Sequence, residues 1–226
     1  GGSSNSGLLQ PGTYTVSELV PAGWDLTGLS CNDANSTGDL ASRTATFQVE
    51  AGETVRCTFT NTQRGQIVVE KQTLPDGSAQ SFSFTPSYGS SFNLSDGGSS
   101  NSGLLQPGTY TVSEVVPAGW DLTGLVCSDP DRGSSVSLPT ATATVDLDAG
   151  ETVTCTFTNT QDGRIEIEKQ TVPGLDPALF SFSGAFSVSL SDNQFSGIGV
   201  VPGTYYMTEA ALAGWDLTGL SCNDAN

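Results

Sequence analysis

Apolar and polar residues alternate along much of this chain. In the segment Ser81–Thr85, Phe82 and Phe84 stand between hydroxyl-bearing residues, and Thr152–Asn159 has the same period of two. This alternation predicts β-strands with one face toward a core, and no segment carries the apolar stripe of an amphipathic helix. Further strands are predicted at Gln66–Gln72, Thr109–Val116, Trp120–Cys127 and Ala141–Leu147. About seven short strands in about 95 residues indicate an all-β, antiparallel β-sandwich module.

The heptapeptide GWDLTGL occurs three times, with its tryptophans at Trp24, Trp120 and Trp215. A fixed period of this length predicts a tandem array of one small Ig-like sandwich. We divide the chain into 1–63, the C-terminal part of a first repeat; 64–161, a complete repeat; and 162–226, the N-terminal part of a third. Both ends fall inside a repeat, so we expect a window from a longer array, an expression fragment being the alternative. The joints between repeats are short, which favours a semi-rigid rod.

Charge excludes several classes of function. The chain has 24 acidic and 7 basic residues, a net charge of -17 and no histidine. Phosphate binding needs clustered lysine and arginine, so no nucleic-acid partner is expected. No stretch is long and apolar enough for membrane insertion. Without histidine there is no ordinary serine or cysteine hydrolase, and the Gly/Ser segment 97–103 has no following helix or lysine to hold a phosphate. We predict no enzyme activity and no cofactor.

The five cysteines occupy repeating positions. One pair per small repeat predicts disulfides and hence an exported protein, since two thiols without histidine are a poor zinc ligand set. The odd cysteine aligns with the first member of each pair, and its partner is expected outside the chain. The predicted pairs are Cys31 with Cys57 and Cys127 with Cys155, and the odd residue is Cys222.

Three polar residues end apolar rows that face the core. The only lysines, Lys71 and Lys169, take the same place on the first strand of two repeats, where period-two geometry points them inward. Glu114 shares a face with Tyr110 and Val112, and Asn159 follows an inward row on the last strand. The equivalent residues in the partial repeats are Glu18 and Asn61 in the first and Glu209 in the third.

Single buried groups of this kind would cost several kcal/mol, so we expect them to meet. Two interpretations are open. One is a buried ion pair of Lys71 with Glu114, hydrogen-bonded to Asn159. The other is a spontaneous isopeptide bond, in which burial frees the lysine amine to attack the asparagine carboxamide while neutral Glu114 moves protons.

The order of these motifs resembles a known family. A strand ending in lysine, then GxYxxxE followed by PAGW, then a last strand ending in asparagine, is similar to the collagen-adhesin B-type, or prealbumin-like (SpaA-like), repeats of bacterial surface proteins and pilins. The resemblance covers the whole chain and implies that Lys71, Glu114 and Asn159 are an isopeptide set, with partial sets Glu18/Asn61 and Lys169/Glu209. The cysteine pairs are a departure from many members.

Other signals are weaker. Asn35 and Asn93 fit the N-glycosylation pattern, and threonine-rich outward faces suit O-linked glycans on an extracellular chain. Asp129–Gly133 and Asp146–Asp148 invite a calcium interpretation, but the first lacks further oxygen ligands and the second is not repeated, so no metal site is predicted. The recurring tryptophan is interpreted as a packing anchor and not as a sugar platform.

We therefore expect the shaft of an extracellular or cell-surface fibre, stalk or pilus-like filament, whose partners are neighbouring repeats or copies of itself placed end to end. The alternative is a surface adhesin whose repeats bind a host or environmental ligand, and a third possibility is a passive spacer for a domain elsewhere.

Overall fold

The computed structural model describes residues 1–223. These residues form nineteen β-strands joined by turns and loops, and they contain no α-helix. Within them there is accordingly no helix with the length and apolar character needed to cross a bilayer. Five strands lie within residues 1–63, nine within 64–161 and five within 162–223.

The middle repeat is a sandwich of two sheets. One sheet has the order β12-β13-β10-β7-β8, and the other has the order β11-β14-β6-β9. Its strands are β6 Gln66–Leu74, β7 Phe82–Pro86, β8 Phe92–Leu94, β9 Ser99–Asn101, β10 Gly108–Val115, β11 Trp120–Ser128, β12 Ser135–Ser137, β13 Thr142–Leu147 and β14 Thr152–Gln161. The predicted all-β sandwich is confirmed.

The core lies between these two sheets and is filled by the inward residue of each alternating pair. Phe82, Phe84 and Phe157 are fully buried, and Phe84 packs edge-on against Phe157. Trp120 packs edge-on against Phe82 at 5.3 Å between ring centroids. Gly119 precedes it with φ of 82°, a left-handed conformation that glycine adopts without strain. The tryptophan is thus held at the start of β11 as a packing residue.

Two features of this repeat go beyond the pattern in the sequence. The first and last strands, β6 and β14, pair in parallel, whereas their other neighbours are antiparallel. The Gly/Ser-rich segment from Tyr88 to Gly103, expected to be mostly loop, contains the short strands β8 and β9. Three-residue strands rich in serine and asparagine carry too little alternation to be recognised.

The flanking repeats contain parts of the same design. In the first, β1 and β3 flank β4, and β2 pairs with β5; in the third, β15 pairs with β18, and β17 and β19 flank β16. The first comprises β1 Gly12–Ser17, β2 Trp24–Cys31, β3 Thr37–Asp39, β4 Thr44–Val49 and β5 Cys57–Gln63. The third comprises β15 Gly163–Lys169, β16 Phe180–Gly184, β17 Val188–Leu190, β18 Gln194–Val200 and β19 Met207–Glu209.

Candidate cross-linking site

Three strands of the middle repeat bring Lys71, Glu114 and Asn159 together in its core. Lys71 lies on β6, Glu114 on β10 in the opposite sheet, and Asn159 on β14 beside β6. The side chains of Lys71 and Glu114 have no solvent exposure, and Asn159 is fully buried as well. Each ends a row of buried apolar residues on its strand, so the alternation that builds the core also carries these polar groups inward.

The amine of Lys71 contacts Asn159 and the backbone. Its Nζ lies 2.8 Å from Oδ1 of Asn159, 2.6 Å from the carbonyl oxygen of Gln72 and 3.3 Å from that of Phe157. The ring of Phe82 covers the amine, with its centroid 4.1 Å from Nζ. Water is therefore excluded from the point where the lysine meets the carboxamide.

Glu114 completes the cluster from the opposite sheet. Its Oε1 lies 3.7 Å from Nζ of Lys71, which is within ion-pair distance but too long for a hydrogen bond. Neither carboxyl oxygen of Glu114 has a hydrogen-bond partner, and neither has Nδ2 of Asn159. A buried carboxylate without a hydrogen bond is costly, and the cost falls when the group is protonated.

The pKa values of the two groups shift in the directions that favour neutral forms. Burial lowers the pKa of Lys71 to about 8, against the opposing charges of Glu114 and Asp96. Burial raises the pKa of Glu114, although Lys71 and Asn159 act in the opposite sense. Moving the proton from the lysine to the glutamate leaves a neutral amine beside a neutral acid and removes two charges from the core.

A neutral amine in this position lies beside the carboxamide of Asn159, with Nζ 2.8 Å from Oδ1. Its two N–H groups can donate to the carbonyl oxygens of Gln72 and Phe157, and its lone pair is then left for the carboxamide. A neutral Glu114 can donate a proton to the carboxamide of Asn159 as charge develops on it. The arrangement has a nucleophile, an electrophile and a proton carrier within one dry cluster.

The partial sets contain two members each. In the first repeat, Nδ2 of Asn61 donates to Oε1 of Glu18 at 2.6 Å. In the third, Nζ of Lys169 donates to Oε1 of Glu209 at 3.0 Å and lies 4.1 Å from the ring centroid of Phe180.

In two repeats a disulfide ties the strand that contains WDLTGL to the last strand. Cys31 is bonded to Cys57 and Cys127 to Cys155, and each pair lies directly opposite in its antiparallel ladder. Cys222 is free and exposed.

Two residues of the site environment were not singled out in the sequence. Phe82 and Phe180 cover the two lysine amines at the same distance. Their signal was present in the phenylalanine–serine alternation at 82–84 and 180–182, which occurs at the same place in both repeats. The alternation shows that these rings face inward, but it does not show which ring meets the lysine.

The remaining candidates lie apart from this cluster. Asn35 and Asn93 are exposed, and their glycosylation stays a prediction.

Asp129 and Asp131 are joined by Glu151, and one carboxylate oxygen from each lies within 4.8 Å of the others. The sequence analysis missed Glu151 because it comes from a separate loop. Burial raises the pKa of Glu151, and Asp129 and Asp131 raise it further, as expected for acids that repel. Exposed acidic groups of this kind are common without a metal ion.

Comparisons with known proteins give a family match and distant structural similarities. The family model described as a prealbumin-like fold domain matches residues 2–63 and 67–161. A bacterial adhesin from Mobiluncus mulieris, described as containing intramolecular disulfide, isopeptide and ester bond cross-links, is 21% identical, with a TM-score of 0.35, over 54% of this chain and 45% of its own. The Bacillus anthracis TIE protein is 14% identical, with a TM-score of 0.39, over 92% of this chain and 47% of its own.

A Streptococcal ancillary pilin is 16% identical, with a TM-score of 0.33, over 93% of this chain and 70% of its own. The chain thus spans a little under half the length of the first two of these structures. No curated protein matches it. The family model covers well over half of the residues, in two consecutive repeats, and the chain belongs to the prealbumin-like fold domain family.

Proposed function

We propose that this chain is part of the shaft of an extracellular fibre, built from prealbumin-like modules placed end to end. The observation that carries the proposal is the position of Lys71 and Asn159, which lie on the first and last strands of one module with their reactive groups in contact. The two disulfides support an exported protein, because such bonds persist in oxidising surroundings.

The proposed cross-link is an amide bond between these two side chains. The lone pair of Nζ of Lys71 attacks Cγ of Asn159, and the C–Nδ2 bond of the carboxamide breaks. Neutral Glu114 gives a proton to the departing nitrogen and receives one from the amine, so that ammonia leaves and Glu114 is regenerated. The bond forms once in each module, and no turnover is part of the proposal.

The strand order of the module supports a mechanical role. Tension enters a module at the beginning of β6 and leaves at the end of β14, and these two strands are parallel neighbours over nine paired positions from Gln66 to Leu74. Pulling in this direction slides one strand along the other, so the ladder bonds are loaded together and not one after another. A Lys71–Asn159 bond would carry the load directly between the strands.

This cross-link would also shield most of the module from force. Lys71 and Asn159 are 88 residues apart in the chain. Fully stretched, this segment would add about 300 Å at about 3.4 Å for each residue. A cross-linked module transmits tension without releasing that length, which is what a shaft under load requires.

Single-molecule stretching of the 226-residue chain between handles at its two ends tests the proposal. Under reducing conditions, the wild-type chain should show no extension step of about 300 Å from the middle repeat. Lys71→Arg should restore the step, because the guanidinium does not form the amide. Lys169→Arg, at the equivalent position of the third repeat, is the matched control and should leave the trace of the middle repeat unchanged. A step of this length in the wild-type chain would contradict the proposal.

A further inference from the structure

The joint between the first and second repeats is closed by an ion pair. Nε and Nη2 of Arg64 donate to the two carboxylate oxygens of Asp25 at 2.8 Å each, and the backbone amide of Arg64 donates to the carbonyl of Gly23. The next residue, Gly65, exchanges two backbone hydrogen bonds with Leu105 of the second repeat. One residue is therefore held by the first repeat and its neighbour by the second.

Two side chains of the second repeat reach back across this joint. A Cβ atom placed on Gly23 would lie 3.3 Å from a methyl carbon of Leu104, so Leu104 packs against that turn. Gln106 lines a shallow cleft together with Asp25. Arg64 lowers the pKa of Asp25, and Gln106 contributes in the same direction.

The second joint repeats the backbone of the first but replaces its side chains. The amide of Asp162 donates to the carbonyl of Gly119 at 2.9 Å, and Gly163 pairs with Val200, as Gly65 does with Leu105. Asp162 stands where the first joint has Arg64, and the register of the β11–β14 ladder puts it on the same face as Asp121, which corresponds to Asp25.

The apolar and amide contacts of the first joint are also absent from the second. When the repeats are aligned on GTY, Gly199 stands in place of Leu104 and Val201 in place of Gln106. A Cβ atom placed on Gly119 would have no neighbour within 4 Å, in contrast to its counterpart Gly23. The second joint thus keeps its backbone connection and has lost the three side-chain contacts that close the first.

The Asp121–Asp162 pair is electrostatically unfavourable when both groups are ionised. Oδ1 of Asp162 is out of contact with solvent and has no hydrogen-bond partner. Burial raises the pKa of Asp162, and the charge of Asp121 raises it further. Among the described residues, the nearby basic side chain, Arg164, is paired with Glu166 and does not neutralise the two aspartates. The hydroxyl of Tyr205 donates to the carbonyl of Val201 and is not a donor to them.

We propose that the joint between the second and third repeats is a hinge that loosens when Asp162 is ionised beside Asp121 and tightens when Asp162 is protonated. The first joint is the opposite kind of connection, since its ion pair needs an ionised aspartate. One array would then contain a stiff joint and an acid-tightened joint at equivalent positions.

The direction of the pH effect follows from linkage. Because the pKa of Asp162 is raised in the closed joint, closure is penalised above that pKa, and the penalty is relieved as the pH falls toward the ordinary aspartate value. The pKa of Asp25 is lowered, so the ion pair stabilises the first joint above the ordinary value and is lost only as the pH falls through the lowered one.

Amide hydrogen exchange of the full chain tests this proposal without depending on the Lys71 cross-link. The amide of Asp162 reports on the second joint, and that of Arg64 reports on the first. In buffer with chelator, and after correction for the intrinsic exchange rate, protection of the Asp162 amide should rise several-fold between neutral pH and pH 4. Protection of the Arg64 amide should stay constant over the same range.

Two substitutions that swap the equivalent residues of the two joints provide the controls. Asp162→Arg recreates the ion pair of the first joint and should abolish the pH dependence at the second. Arg64→Asp recreates the acid pair and should introduce a pH dependence at the first. Protection of Asp162 that does not change with pH, or that changes equally in Asp162→Arg, would overturn the proposal and leave the shaft proposal untouched.

Discussion

The lysine sites of the second and third repeats share a lysine, a glutamate and a phenylalanine, and they differ in the asparagine that Lys71 contacts. Both lysines lie on the first strand of their repeat, face a glutamate and are covered by a phenylalanine ring at 4.1 Å. Lys169 lies 3.0 Å from Glu209, and their side chains remain 11% and 17% exposed. Lys71 lies 3.7 Å from Glu114, contacts Asn159 at 2.8 Å, and is fully buried.

This difference shows how the last strand changes the contact between the lysine and the glutamate. Among the described residues of the third repeat, Lys169 has no asparagine beside it and makes a direct ion pair with Glu209. With β14 in place, the amine turns to the backbone carbonyls and to Asn159, and the carboxyl group is left without a hydrogen bond. The same two residue types thus form a direct ion pair at 3.0 Å in one place and a longer contact at 3.7 Å, with an unbonded carboxyl group, in the other.

Removing the glutamate should give the largest effect on this comparison. Glu114→Ala should prevent the cross-link and leave the Lys71 amine buried without a facing carboxyl group, at a cost of about 3–5 kcal/mol in the free energy of unfolding relative to the unreacted chain. Urea denaturation, followed by fluorescence of Trp120 in a background where the other tryptophans are phenylalanine, measures the loss. Adding Lys71→Met should recover part of it, because the stranded charge is then gone.

The matched change in the third repeat is Glu209→Ala. Its cost should be clearly smaller, since Lys169 and Glu209 both reach solvent. An equal decrease in the free energy of unfolding in Glu114→Ala and Glu209→Ala would show that the deeper burial of Lys71 and Glu114 has no energetic consequence.

Reducing the disulfides should have the next largest effect. Opening the Cys127–Cys155 bond, which closes a loop with a sequence separation of 28, should lower the stability of the second repeat by about 2–4 kcal/mol. The third repeat should not respond, because Cys222 is free. Amide exchange before and after reduction measures both regions in one sample, and an equal response in the third repeat would show that the effect is not local.

The smallest effect concerns the pH dependence of cross-link formation. The reactive form carries one proton shared between Lys71 and Glu114, so the rate should be level between their two pKa values. It should fall as the pH rises above about 8, where the lysine amine stays neutral but Glu114 has lost its proton. Below the raised pKa of Glu114 it should fall again, because both groups are protonated.

Chains purified in denaturant and refolded at different pH values give these rates by mass spectrometry. Glu114→Gln should form no cross-link at any of these pH values, since its amide cannot carry the proton that the mechanism requires. A rate in the unchanged chain that continues to rise beyond pH 8 would assign no acid role to Glu114.

Much of this architecture could be predicted from alternation alone. The inward rows that contain Phe82, Val112 and Phe157 mark the core, and the same period places Lys71, Glu114 and Asn159 inside it. The cysteine positions predict the disulfide pairs found in the structure, Cys31 with Cys57 and Cys127 with Cys155.

Other features depend on partners that a local pattern does not contain. The parallel pairing of β6 with β14 joins segments far apart in the chain, and it decides that Lys71 meets Asn159. The approach of Glu151 to Asp129 and Asp131 likewise comes from packing between loops. The contrast between Arg64 and Asp162 is visible in the sequence, but its meaning requires the facing Asp25 and Asp121.

The intact mass of the denatured and fully reduced chain tests the central claim most directly. Formation of one amide bond releases one ammonia, so we predict a mass about 17 Da below that of the linear sequence. After proteolysis, the loss should map to a branched peptide joining Lys71 and Asn159, with Lys169 unmodified, and it should be absent in Glu114→Ala. An unchanged mass, or a loss that maps elsewhere, would contradict the account and leave Lys71, Glu114 and Asn159 as an unreacted buried cluster.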